Sequence, residues 1–174
     1  MNIVLIGYRG TGKSTVAAIL ASRLSWQTIS TDEEIIRQAQ LSIPDIVARF
    51  GWDHFRNLES EVCRSLSERD HLVIDTGGGV IVKPENVEAL KPKGLFFWLT
   101  ATVPIIIQRI GGNTQRPPLK GGKTFTEEIE EVLREREPTY AAAADYVLAT
   151  DCVPPEKIAD QVLEHLSSHQ RSER

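Results

Sequence analysis

Short apolar runs alternate along the chain with longer segments in which apolar residues recur every three or four positions. Apolar runs without polar alternation are typical of strands buried on both faces of a sheet, and the recurrence indicates helices that bury one face. We predict five strands, at residues 3–6, 27–31, 72–74, 95–99 and 146–148. We predict helices at residues 14–24, 33–40, 42–50, 53–69, 84–90, 102–110, 126–143 and 155–166.

This alternation predicts an α/β fold of three layers, with a five-stranded parallel sheet between two layers of helices. With 174 residues the chain has the length of a single domain. Parallel sheets bind ligands beyond the carboxyl ends of their strands, so residues that directly follow a strand are candidates for function. A stretch rich in glycine, proline and basic residues at 111–124 is predicted as a mobile loop, and the polar tail from Ser167 as frayed.

Residues 7–14 (GYRGTGKS), after the first strand, match the pattern G-x-x-x-x-G-K-[ST] at every fixed position. Glycines allow backbone N–H groups to converge on phosphate oxygens, and the following helix directs the positive end of its dipole at them. The Lys13 ammonium suits the β- and γ-phosphates, and the Ser14 hydroxyl can bind Mg²⁺. The predicted nucleotide contacts are Gly10, Thr11, Gly12, Lys13, Ser14 and Thr15. The alternative is a glycine-rich turn that binds no ligand.

Two further strands also end on candidate residues. Asp32 follows the second strand, where a carboxylate can bind a metal or accept the proton of a hydroxyl; alternatively it caps the helix that begins at Glu33. Gly77, Gly78 and Gly79 follow the third strand. Three consecutive residues without side chains are more than a tight turn needs, and they indicate that a ligand approaches the backbone closely. The alternative is a flexible loop.

Three arginines outside the strand ends have chemistry suited to anions. Arg56 lies three positions before Glu59 on one helix face, where a solvated ion pair is the alternative explanation. Arg136 could be one prong of a carboxylate clamp, or a charge on a helix surface, and Pro138 predicts a kink or break in that helix. Arg116 lies in the glycine-rich stretch, where an arginine can stabilise a transferred phosphoryl group or simply make the surface basic.

Composition narrows the environment of the protein. The 24 acidic and 20 basic residues give a net charge of −4, which argues against a broad nucleic-acid surface. No apolar run approaches the length of a membrane span, so we expect no membrane partner. Cys63 and Cys152 form neither a disulfide framework nor a zinc pattern, which favours a reducing, cytoplasmic setting. Any anion site must therefore concentrate positive charge locally.

Taken together, these motifs resemble those of the shikimate kinases over residues 2–166. The matching segments are 7–15, 31–32, 55–59, 77–79, 111–117 and 136–140. The first is shared by many nucleotide-binding proteins, whereas the ordered set of the others is specific. The resemblance implies a single kinase domain over residues 1–174, with a substrate-binding segment at about 33–60 and a lid at about 111–123.

The resemblance also implies an activity, transfer of the ATP γ-phosphoryl group to the 3-hydroxyl of shikimate with Mg²⁺, by a monomer. Asp32 would hold the substrate hydroxyls and act as the base, while Arg56 and Arg136 would clamp the carboxylate. The implied roles of the remaining residues are ring-hydroxyl contacts for Gly77, Gly78 and Gly79, phosphoryl-charge stabilisation for Lys13 and Arg116, Mg²⁺ binding for Ser14, and adenine contacts for Arg109 and the segment around Pro155.

One segment departs from the pattern of the family that it resembles. Members of that family usually carry Asp-x-Asp after the second strand, and the first Asp supports Mg²⁺ through its water shell, but here the segment is Ser30-Thr31-Asp32. Asp75 ends the third strand, where other P-loop enzymes place a metal-supporting aspartate. We hypothesise that Asp75 replaces the absent acid; the alternative is that it only orders the glycine turn.

Two other kinds of function stay open from the sequence. Another small-molecule kinase, acting on gluconate or a nucleoside monophosphate, would share the phosphate-binding loop but need different acceptor residues. A catalytically silent relative that binds nucleotide and acts through a partner is favoured by Ser30. It is disfavoured by the intact residues Lys13, Ser14, Asp32 and Arg116.

Overall fold

The structure of the chain is a computed structural model that describes residues 1–111 and 125–172. Its strands are β1 (Asn2–Ile6), β2 (Gln27–Ser30), β3 (Leu72–Asp75), β4 (Gly94–Thr100) and β5 (Tyr146–Ala149). Its α-helices are α1 (Lys13–Leu24), α2 (Thr31–Ala39), α3 (Ile43–Ser67), α4 (Pro84–Leu90), α5 (Val103–Ile110), α6 (Phe125–Ala143) and α7 (Pro155–Ser172). A short 3₁₀ helix, Val80–Val82, follows β3.

The strands form one parallel sheet in the order β2-β3-β1-β4-β5. Asp75, the last residue of β3, lies in register with Ser30 at the end of β2 and with Leu5 near the end of β1. The residues that follow these three strands therefore meet at one edge of the sheet. This arrangement confirms the predicted fold class.

The core lies on both faces of the sheet, as β1 shows most clearly. Ile3 and Leu5 pack on the side of α1 and α7, whereas Val4 and Ile6 pack on the side of α3. All four side chains are fully buried. Because successive residues of a strand point to opposite faces, a strand with helices on both sides needs apolar residues at every position. The unbroken apolar run in the sequence is thus explained.

The start of α2 differs from the sequence-based expectation. The helix begins at Thr31, and its N-cap is Ser30, whose hydroxyl accepts a hydrogen bond from the backbone N–H of Glu33 at 3.3 Å. The alternative in which Asp32 caps this helix is therefore wrong. Since the hydroxyl of Ser30 accepts the hydrogen bond at the helix end, Asp32 is not the cap and lies in the first turn of α2.

The predicted separation of helices at 42–50 and 53–69 is confirmed, since α3 kinks at Gly51, where the backbone is not helical and φ is +83°. Two other predicted helix features change. Helix α6 runs without a break across Pro138, and α7 continues to Ser172 rather than fraying from Ser167. In α7 the Ser167 hydroxyl donates to the carbonyl of Leu163, so a polar residue supports the last turns.

Candidate active site

A cavity of about 510 Å³ opens beside the phosphate-binding loop at the carboxyl edge of the sheet. Its walls come from residues 9–16, from the ends of β2 and β3 with the residues that follow them, from Arg109 in the last turn of α5, and from the segment after β5 up to Ile158 of α7. We call it the nucleotide cavity. The loop is tightly packed, because a Cβ atom at Gly7 would collide with the carbonyl oxygen of Leu99, and φ at Gly7 is +141°. Glycine is therefore required where the loop leaves β1.

Lys13 is held across the phosphate-binding loop. Its ammonium donates to the carbonyl oxygens of Gly7 at 2.9 Å and Tyr8 at 3.0 Å, and the residue is only 7% exposed. A buried ammonium on a loop rich in backbone N–H groups concentrates positive charge at one place in an acidic protein. The phosphate-binding loop thus has the local positive charge that an anion site needs in a protein with a net charge of −4.

Ser14 and Asp75 meet on the wall of the nucleotide cavity. The Ser14 hydroxyl donates to Asp75 Oδ2 at 2.5 Å, and Asp75 is 8% exposed. The glycine turn after β3 takes its hydrogen bonds elsewhere, with the N–H of Gly77 donating to the Thr31 hydroxyl at 2.8 Å. A hydroxyl and one carboxylate fit Mg²⁺, which keeps several waters and takes few protein ligands.

Arg109 closes the nucleotide cavity on the side of β5. Its guanidinium donates to the carbonyl oxygen of Gly10 at 3.1 Å and to the hydroxyl and carbonyl oxygens of Thr150 at 2.9 and 2.8 Å. Pro155 lines the same cavity together with Val153 and Ile158. Arg109 and Pro155, predicted as adenine contacts, therefore line the same cavity, which has apolar lining residues that suit a base.

A second, narrower cavity of about 40 Å³ adjoins the first, and we call it the acceptor cavity. Arg56 from α3 and Arg136 from α6 both line it, although 80 positions separate them in the sequence. Asp32, Gly77 and Gly78 line both cavities. The acceptor cavity thus combines the guanidinium groups of Arg56 and Arg136 with the carboxylate of Asp32, which it shares with the nucleotide cavity.

Arg56 is fixed in place by buried neighbours. It forms an ion pair with Glu59, Nη1 to Oε2 at 2.7 Å, in which the two side chains are 13% and 0% exposed. The alternative of a solvated pair is therefore wrong. The guanidinium also lies 5.6 Å from the ring centre of Trp52 and 5.2 Å from that of Phe55. Burial raises the pKa of the Glu59 carboxyl, and the charge of Arg56 opposes that rise.

The three glycines after β3 make room for functional side chains. A Cβ atom at Gly77 would lie 2.6 Å from Asp32 Oδ1, and one at Gly79 would collide with the guanidinium of Arg56. The carbonyl oxygen of Gly78 accepts hydrogen bonds from Arg136 Nη1 at 2.9 Å and from the Tyr140 hydroxyl. The run is buried, which excludes the alternative of an exposed flexible loop.

Several residues of the site carried no recognisable signal in the sequence. Arg9 lines both cavities, Glu128 lines the acceptor cavity at 7% exposure, and Thr150 anchors Arg109. Arg9 occupies a variable position of the motif, and Glu128 belongs to a helix turn rich in glutamate, so neither stood out. Arg116, and the predicted lid from residue 112 onward, lie outside the described residues.

A parallel sheet with a phosphate-binding loop after β1, a hydroxyl paired with a carboxylate beside that loop, and an adjoining cavity that contains arginines define a P-loop kinase of small molecules. The family model described as "Shikimate kinase" matches residues 9–167. The chain belongs to the shikimate kinase family.

Individual relatives agree with this assignment. The chain is 40% identical over 152 residues to the shikimate kinase of Nitratidesulfovibrio vulgaris, with 86% of each chain covered. The structure of a shikimate kinase from Acinetobacter baumannii in complex with shikimate matches with a TM-score of 0.91 and 33% identity, covering 97% of this chain and 93% of that one. A gluconokinase from Sinorhizobium meliloti, at 16% identity and a TM-score of 0.59 with 98% and 94% covered, shares the fold alone.

Proposed function

We propose that this protein transfers the γ-phosphoryl group of ATP to the 3-hydroxyl of shikimate, giving shikimate 3-phosphate and ADP. The observation that carries the proposal is the position of Arg56 and Arg136 on one small cavity that shares Asp32 with the nucleotide cavity. An acidic, hydroxylated ring fits this arrangement, with its carboxylate toward the arginines and a hydroxyl toward Asp32.

Arg56 and Arg136 bind the carboxylate of shikimate in this proposal. Planar guanidinium groups match carboxylates with paired hydrogen bonds, which fixes the orientation of the ring as well as its affinity. The support for both arginines is rigid, since Glu59 holds Arg56 and the carbonyl oxygen of Gly78 holds Arg136. Trp52 borders the cavity and provides an apolar wall. Backbone groups of Gly77, Gly78 and Gly79 contact the ring hydroxyls.

Asp32 orients the attacking hydroxyl and accepts its proton as the new P–O bond forms. Its place on the wall common to both cavities supports this role, because a base must lie within hydrogen-bond reach of the proton it removes. Most of the lowering of the barrier comes from positioning and electrostatics, as in other phosphoryl transfers. Lys13, and Arg116 from outside the described residues, neutralise the phosphoryl oxygens.

ATP occupies the nucleotide cavity with contacts from residues 10–15, Arg109 and Pro155. Ser14 and Asp75 hold Mg²⁺, and their shared place on this cavity supports that assignment. When bound, the ion neutralises charge on the β- and γ-phosphates. Asp75 replaces the acid that members of the family usually carry at the position of Ser30. The hydroxyl of Ser30 is itself engaged as the N-cap of α2.

The proposal extends to the organisation and setting of the protein. One kinase domain spans residues 1–174, with a substrate-binding segment at about 33–60 and a lid at about 111–123. The protein acts as a cytoplasmic monomer on a small molecule, without a nucleic-acid or membrane partner. Within the described residues, no helix is both long and apolar enough to cross a membrane.

A coupled assay of ADP release tests the proposed function. With ATP and Mg²⁺, we expect turnover with shikimate and none above background with gluconate or nucleoside monophosphates. Turnover with a control acceptor alone would assign another kinase activity. Nucleotide binding without turnover on any acceptor would instead favour the catalytically silent relative.

A further inference from the structure

Arg9 occupies the boundary between the two cavities. Four of the described residues line both cavities, and they are Arg9, Asp32, Gly77 and Gly78. Among these four, Arg9 is the one that carries a positive charge. A group that passes from a ligand in one cavity to a ligand in the other must cross this shared wall, so Arg9 lies beside its path.

Buried polar neighbours hold Arg9 in this position. Tyr8, 3% exposed, packs against Ile106 of α5 and Ile129 of α6. Burial raises the pKa of the Tyr8 phenol, the charge of Glu128 raises it further, and the adjacent Arg9 opposes the rise through its charge and a hydrogen bond. Arg9, Tyr8 and Glu128 also line the acceptor cavity together, so the phenol and the carboxylate are polar groups placed to orient the guanidinium.

The carboxylate end of the acceptor cavity does not require Arg9. Arg56 and Arg136 already supply two guanidinium groups there, one held by Glu59 and one by the carbonyl of Gly78. At the phosphate end, Lys13 is the other cation of the loop, and its ammonium is bound to the loop carbonyls of Gly7 and Tyr8. A second fixed cation on the shared wall adds most where negative charge is spread over the transferred group.

We propose that the Arg9 side chain contacts the phosphoryl group during its transfer and is a catalytic residue, with Tyr8 and Glu128 as positioning residues. This inference rests on the proposed function for the nature of the acceptor. In the step, the acceptor hydroxyl oxygen forms a bond to the γ-phosphorus and the bond from that phosphorus to the bridging oxygen breaks. The electron pair leaves on ADP, and the hydroxyl proton passes to Asp32. Arg9 forms no covalent bond and donates hydrogen bonds to the equatorial oxygens.

The test compares Arg9→Met with Arg9→Lys. Loss of one preorganised donor to a transition-state charge costs about 10² to 10³ in rate, so we expect kcat to fall about 10²-fold in Arg9→Met. The KM values for ATP and shikimate should stay within about threefold, since the contact forms chiefly in the transition state. Arg9→Lys should recover part of kcat because it keeps the positive charge. The recovery should be incomplete because an ammonium lacks the paired, planar donors of a guanidinium. Arg64→Met, at an exposed arginine of α3, is the matched control and should change neither parameter.

A binding measurement separates catalysis from folding of the loop. We expect Arg9→Met to bind ADP like the wild type but to lose about 10²-fold in affinity for ADP with Mg²⁺ and aluminium fluoride, a planar mimic of the transferred group. Glu128→Gln should lower kcat in the wild type and add nothing in the Arg9→Met background, as expected of a positioning residue.

Three results would overturn the assignment. A higher KM for shikimate with unchanged kcat would place Arg9 in acceptor binding, and an equal loss of ADP and aluminium fluoride affinity would reduce it to a support of the loop. Additive effects of Arg9→Met and Glu128→Gln would remove the positioning role. If the wild type fails to phosphorylate shikimate, the proposed function fails, whereas the aluminium fluoride measurement still decides the role of Arg9.

Discussion

Ser14 and Asp75 share a hydrogen bond of 2.5 Å on the wall of the nucleotide cavity, although 61 positions separate them in the chain. Ser14 lies in the first turn of α1, directly after the phosphate-binding loop, and Asp75 ends the strand next to β1. The two side chains therefore bring a hydroxyl and a carboxylate to the place where a phosphate-bound cation would lie.

Asp75→Asn should raise the Mg²⁺ concentration needed for half-maximal activity by about tenfold, because outer ligands of metal sites contribute about 10- to 100-fold in affinity. The amide keeps the shape of the side chain and removes its charge. The same shift should appear in Mg²⁺-dependent binding of ATP measured by calorimetry. ADP binding without metal is the control and should not change. An unchanged Mg²⁺ dependence in both measurements would leave Asp75 without a metal role.

Asp32→Asn should lower kcat by about 10³-fold, within the range of general-base contributions, and should leave ATP binding nearly intact. The physical reason is that the amide can hold the hydroxyl but cannot accept its proton. Turnover is measured in the coupled assay and ATP binding by calorimetry. Weaker ATP binding with little loss of kcat would instead assign Asp32 to the nucleotide cavity.

Arg56→Met should raise the KM for shikimate by about 10²-fold while the KM for ATP stays unchanged, since a hydrogen bond to a charged group contributes about 1.5–3 kcal/mol. Glu59 would then be buried without its cation, so thermal stability must be measured alongside the kinetics. The double variant with Glu59→Gln removes that unpaired charge. If the double variant regains stability but not affinity, the loss of affinity belongs to the carboxylate clamp. Recovery of both would make Arg56 a structural residue.

The two cysteines should differ in reactivity toward a thiol reagent. Cys63 is fully buried, and burial raises the pKa of its thiol to about 12, whereas Cys152 is exposed. Because the thiolate is the reactive form, Cys63 stays protonated and inert at pH 8. We expect a disulfide reagent to modify one thiol in the native protein and two in denaturant. Cys152→Ser should abolish the native reaction, and a native reaction that persists in this variant would contradict the burial of Cys63.

The sequence predicts the sheet and the phosphate-binding loop well because both depend on local patterns. The apolar run of β1 and the spacing of residues 7–14 need no knowledge of distant residues. The sequence leaves open the alternative that Asp32 caps α2, because Ser30 and Asp32 are both good caps, and only the end of β2 in the sheet selects Ser30. Arg56 gave no sign of burial, since its ion pair with Glu59 has the spacing of a surface pair. Its true surroundings depend on β3 and its glycines.

Gly77, Gly78 and Gly79 differ in the space that the structure leaves for a side chain, although all three are glycine. A methyl group at Gly77 or Gly79 would displace Asp32 or Arg56, whereas at Gly78 its nearest neighbours lie at an ordinary 3.4 Å. The acceptor at position 78 is a backbone carbonyl, which no side-chain replacement removes. A Cβ atom therefore fits in the middle of this run without loss of the anchor of Arg136, whereas at either outer position it must displace a side chain of the site. An inhibitor that relies on contacts at the outer pair would leave little room for resistance at those positions.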